Sequence, residues 1–151
     1  MELEYVAASL GIEVESVCIA VVVGMNAVLD ERSVDDLAHC EKTIVTISRS
    51  FLLLGSADQA SSLFGSGIQP VVLSRANGIA ICFVCLTLSA VMNLRDCWRS
   101  KQLRHTLEKV FTFLSVAVSQ VRIDRLRWPM MDYERCVSFF TSLQGWQMVA
   151  S

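Results

Sequence analysis

Apolar and polar positions along this chain alternate between long greasy runs and amphipathic stretches. The greasiest run is Gly78–Leu94, GIAICFVCLTLSAVMNL, with no charge and only Gly78, Thr87, Ser89 and Asn93 as weakly polar positions. That is too few to give a helix a water-facing side. A helix apolar all round is either the buried centre of a bundle or a membrane span. Val14–Leu29 is a second greasy run, rich in valine and isoleucine. Its β-branched residues permit a strand, but its length favours a helix. Between the two runs, Val34, Leu37, Ala38, Ile44, Val45, Phe51 and Leu52 recur at helical spacing. Ser33 stands as the N-cap, Asp36 adds charge to the first turn, and Gly55 stops the helix after Leu54.

The remaining pattern predicts a short helix at Pro70–Arg75, a turn at Asn77-Gly78, and an exposed basic connector at Arg95–Arg104. Leu103–Arg127 reads as one long amphipathic helix, ended by Trp128-Pro129 because a residue before proline disfavours helical backbone. Asp132–Leu143 reads as a last short helix, stopped at Gly145. With no repeat or linker, residues 1–151 are expected to form a single all-α domain. It would be a bundle of six to eight helices around a central apolar helix at about 78–94.

Composition keeps the membrane alternative open. The chain is 53% hydrophobic and 19% charged, against roughly 45–50% and 25% in ordinary soluble domains. The second candidate is therefore a small integral membrane protein of two to four spans, with a viral structural or replication-associated role. Gly78–Leu94 and about Gly11–Leu29 would be spans, whereas Arg49, Glu108 and Lys109 mark their segments as amphipathic. The acidic start (Glu2, Glu4) is unlike a signal peptide. Intracellular location, cytoplasmic or membrane-associated, is the expectation.

Charge is uneven. Residues 1–94 carry four basic and ten acidic side chains, and residues 95–151 carry nine and five. Two such halves attract in a compact fold, or the basic half faces an anionic membrane surface. The basic residues are interleaved with acids and no binding motif accompanies them, so nucleic acid is not expected.

Candidate chemistry is sparse. Cys82 and Cys85 have the C-x-x-C spacing but lie in an apolar run, where burial raises a thiol pKa and opposes redox work. His39, Cys40, Cys97 and His105 match no zinc-ligand spacing. Asp35-Asp36 is explained by a helix start. Gly65-Ser66-Gly67 lacks the spacing and lysine of a phosphate loop. These readings predict no enzyme, no cofactor and no metal.

A nearly all-apolar helix starting at a glycine, then a long amphipathic helix, then a short helix ending in Gly-Trp resembles the C-terminal half of the Bcl-2 family. Asn77-Gly78-Ile79 stands where that family carries Asn-Trp-Gly-Arg. The run from Phe139 to Gly145-Trp146 is similar in spacing to its later motif, with Gln144 in place of the first glycine. The motif tryptophan is missing and Ile79 replaces its arginine, with Arg75 the nearest substitute; viral relatives of the family tolerate such loss. The resemblance, over about Ser56–Val149, implies a regulator of apoptosis that binds a partner's amphipathic helix in a hydrophobic groove. Phe51, Leu54, Val72, Arg75, Asn77, Gly78, Phe83, Gly145 and Trp146 are the groove residues it implies.

Overall fold

The computed structural model describes residues 20–54, 63–65, 67–116 and 119–150, and the fold is α+β rather than all-α. Strand β1 (Val21–Leu29) leads through a 3-10 turn (Glu31–Ser33) to helix α1 (Leu37–Leu54). Strands β2 (Ile68–Ala76) and β3 (Gly78–Cys85) follow as a hairpin. Helices α2 (Leu88–Arg99) and α3 (Gln102–Ser115) precede strand β4 (Ile123–Arg127) and helix α4 (Met130–Ala150).

All neighbouring strands are antiparallel, in the order β2-β3-β1-β4. β1 and β2 are therefore parallel with β3 between them, and β3 and β4 are parallel with β1 between them. This is the split β-α-β, or ferredoxin-like, connectivity. Here the second crossover is made of two helices, and a fourth helix is appended.

The expected central helix at 78–94 is two elements. Positions 79, 81, 83 and 85 are all fully buried, while Ala80 and Cys82 are half-buried, which is the period-2 signature of a strand. Thr87 then caps α2, its hydroxyl accepting from the Ala90 N–H at 3.0 Å. A strand buried on one face and half-buried on most of the other, where Val84 is buried too, joined directly to the core face of a helix, gives one uninterrupted greasy run. Val14–Leu29 repeats the lesson. Its described part is β1, with Val21, Val23, Met25, Ala27 and Leu29 buried in strict alternation. The β-branched residues were the better guide there and run length the poorer one.

Further expectations change. Pro70–Arg75 belongs to β2, whose register shifts between Gln69 and Val72. Such an irregularity and an outer position both suit a proline within a strand. The long helix at 103–127 ends at Ser115 and gives way to β4. Its stop is invisible to a search for glycine, because the left-handed turn is taken by Val116 (φ 55°), just as Lys101 (φ 67°) takes the one before α3. Helix α4 does not stop at Gly145 but continues to Ala150. The amphipathic helix after residue 33 does form, capped by Asp36 rather than Ser33: the Asp36 carboxylate accepts from the His39 N–H at 3.2 Å.

The core fills one side of the sheet. Val23, Ile79, Ile81 and Phe83 meet Ile44 of α1, Val91 and Leu94 of α2, and Phe111 of α3, all fully buried. The buried Glu108 carboxylate of α3 accepts from the Ile123 N–H at 2.8 Å, and the Thr112 hydroxyl accepts from the Val121 N–H at 2.9 Å. These two bonds fix where β4 begins. Among the described residues no helix is long and apolar enough to cross a membrane.

Candidate functional site

The side of the sheet away from this core carries the even-numbered positions of β1 and β3. Val22, Asn26 and Val28 are half-buried, Gly24 is exposed, and Ala80 and Cys82 beside them are half-buried. The register extends this floor in rows. Val72 pairs with Cys82 and Cys82 with Gly24; Ser74 pairs with Ala80, Ala80 with Asn26, and Asn26 with Arg127; Val28 pairs with Arg125. A Cβ built at Gly24 would meet nothing within 4 Å, so the centre of the floor opens to space. Small side chains at Gly24, Ala80 and Ser74 make it shallow. The exposed Arg125 and Arg127 stand along its β4 side.

Near the start of β1, helix α4 packs beside the strand, its Cys136 and Phe140 buried in the core. β4 is too short to cover the first half of β1, and the Arg135 guanidinium of α4 donates to the Val22 carbonyl at 2.8 Å. Trp128, Tyr133 and Trp98 stack edge to face, and Arg95 lies over the Tyr133 ring at 4.0 Å, which holds α4 against α2.

The residues expected to line one groove are spread across the fold. Val72 lies on the open side of β2. Phe83 is fully buried on the opposite side, edge to face with Phe64 at 5.3 Å. Arg75 is exposed on β2, its Nε 3.9 Å from the Glu41 carboxylate of α1. Asn77 forms the hairpin turn, where its carbonyl accepts from the Asn26 side chain at 2.9 Å. Gly78 has φ +96°, and a Cβ there would collide with the Ala27 carbonyl oxygen, so its need is conformational. Phe51 and Leu54 lie in the last turn of α1, and Gly145 and Trp146 in the last turns of α4; their side chains are outside the described residues. Val72 and Phe83 on opposite sides cannot line one groove, and the run 78–94 expected as a central helix is β3 followed by α2.

The five described cysteines are free thiols. Cys82 and Cys85, expected on one helical face, instead point to opposite sides of β3. Burial pushes the Cys85 thiol up to about 12, with the neighbouring Cys136 adding to the shift. Burial likewise pushes Cys136 up to about 11 and raises Cys40 and Cys82. Raised thiols are poor nucleophiles and poor metal ligands. Among the described residues no three histidine, cysteine, aspartate or glutamate side chains are placed to hold a metal ion.

Sequence reasoning missed Gly24, Asn26, Ala80, Arg125 and Arg127. The signal available was Gly24 and Asn26, two positions apart in the middle of the otherwise apolar Val21–Leu29, which a reading at helical period hides. Against known protein families, curated proteins and solved structures, the chain has no match.

Proposed function

We propose that this protein is a non-enzymatic interaction module that docks an amphipathic helix of a partner protein across the open side of its sheet. The observation that carries this reading is the unfilled space above Gly24, set among half-buried Val22, Val28, Val72 and Cys82. Small residues at the centre allow a helix backbone to approach closely, and the aliphatic residues offer it apolar contact. Arg125 and Arg127 favour a helix with acidic residues along one flank. Helix docking was the recognition mode expected from the resemblance. The surface is now a sheet rather than a groove between helices, and it carries no apoptotic assignment of its own.

Titrating labelled amphipathic helix peptides, acidic-flanked and pro-apoptotic ones included, into the isotope-labelled chain tests this. The expected result is saturable amide shifts centred on Gly24 and Ala80. Gly24→Glu, at an open and exposed position, should keep the fold and weaken binding at least tenfold. Absence of shifts at that floor at several hundred micromolar peptide would overturn the reading.

A further inference from the structure

The two edges of the sheet are finished differently. On the β4 side, side chains occupy the backbone acceptors. The Trp98 indole N–H donates to the Leu126 carbonyl at 3.0 Å, Arg104 to the Asp124 carbonyl at 3.4 Å, and Arg135 to the Val22 carbonyl where β4 runs out. Leu126 and Asp124 are two apart on one strand, so their carbonyls point the same way, outward from the sheet. That edge is sealed. On the other side β2 pairs only with β3, and among the described residues no hydrogen bond from another element is seen to its backbone; its one cross-element contact of charge is Arg75 with Glu41. A nine-residue strand with one side unpaired presents a row of donors and acceptors to any extended chain.

We propose that β2 is a strand-addition site for an extended acidic segment of a partner protein. Its chemistry follows from what borders the edge. Helix α1 packs on β2, and Glu41 reaches Arg75. Cys40, one position earlier, turns toward Ser115 of α3. At 100° per residue, Lys42 is turned the opposite way, to the flank of α1 away from α3, and Arg49 seven positions later shares that flank. Both are exposed. The rise of the helix from Lys42 to Arg49 is about 10 Å, matching about three strand residues. α1 runs antiparallel to β2, so these two cations accompany the edge from about Arg75 back to Val72.

An unpaired strand bordered by Lys42, Arg49 and Arg75 selects its occupant. A second copy pairing β2 with β2 would bring the same cations together, and lysine beside an edge is a known guard against self-pairing. An acidic extended segment gains both the ladder hydrogen bonds and the charge. Pro70 and the irregularity between Gln69 and Val72 confine the useful edge to about residues 72–76. This site is distinct from the floor around Gly24 and does not depend on it.

The probe is an eight-residue peptide alternating valine with glutamate, titrated into the full chain and followed by amide exchange and amide shifts. Saturable binding with slowed exchange confined to residues 72–76 is the expected result. The same peptide N-methylated at alternate residues should bind at least tenfold more weakly, because its charge is kept and its ladder bonds are lost. Lys42→Glu combined with Arg49→Glu, both at exposed positions, should also cost at least tenfold. Equal binding of the methylated peptide, equal binding of a valine–lysine peptide, or shifts centred on Gly24 would each overturn the proposal. So would protection of β2 that rises with protein concentration in the absence of peptide, which would identify a second copy as the occupant.

Discussion

The two sides of this sheet use the same strands for opposite purposes. On the covered side, every second residue of β1 and β3 is buried against the helices, α4 included through Cys136 and Phe140, and most of the side chains are large: Met25, Leu29, Ile79, Ile81 and Phe83. On the open side, Gly24, Ala80 and Ser74 are small and Asn26 is polar, set among half-buried Val22, Val28, Val72 and Cys82. A side chain that faces the helices contributes by filling volume. One that faces space contributes little to stability, and its size is free to serve contact with something else.

The contrast is broken most strongly from the covered side. Phe83→Ala removes a fully buried ring that also stacks on Phe64. It should cost about 3–5 kcal/mol of unfolding free energy, read by denaturant titration. A loss under about 1 kcal/mol would mean that this side is not the core.

Alkaline pH gives a gentler test of the same side. Cys85 titrates at about 12 in the fold because it is buried, against an ordinary thiol value of about 8.5 in the unfolded chain. Between those values the unfolded chain releases a proton that the folded chain keeps. The stability contribution of the protonated thiol is therefore whole below the unfolded value and lost as pH rises toward the folded one. The limit is about 1.4 kcal/mol per pH unit. Unfolding midpoints measured from pH 8 upward should fall, and Cys85→Ala should flatten the slope relative to the parent chain. An unchanged slope would place that thiol in contact with water.

The smallest effect belongs to the open side. Gly24→Ala adds a methyl that meets nothing within 4 Å and removes freedom from the unfolded chain. It should be neutral or stabilising by up to about 1 kcal/mol in thermal unfolding. At Gly78, where φ is positive and the Ala27 carbonyl is close, the same change should instead destabilise. Destabilisation at Gly24 as large as at Gly78 would show that its side of the sheet is filled.

Local chemistry made part of this legible. Helix α1 could be read from its apolar spacing, and the turn at Asn77-Gly78 from its residue types. Cys82 and Cys85 read as packed among apolar residues, and burial raises their thiols together with those of Cys40 and Cys136. The open floor was not legible, because its residues are unremarkable singly and meaningful only in register. Asn26, Ala80 and Ser74 are far apart in the chain and are brought into one row by pairing.

By itself, the sequence determined where apolar surface must be hidden and that long greasy segments occupy the centre. It did not determine the period at which they are hidden. Gly78–Leu94 is greasy enough to satisfy a helix or a strand, because nearly every position is apolar and the two patterns coincide. Only pairing with β1 and β2 decided it, since a strand's backbone groups are satisfied by neighbours distant in sequence, whereas a helix satisfies its own. The tertiary structure likewise decided where α3 ends, with Val116 held left-handed and β4 begun at the hydrogen bond from Ile123 to Glu108. Those choices leave one side and one edge of the sheet without a partner among the described residues, and both proposed docking surfaces are found there.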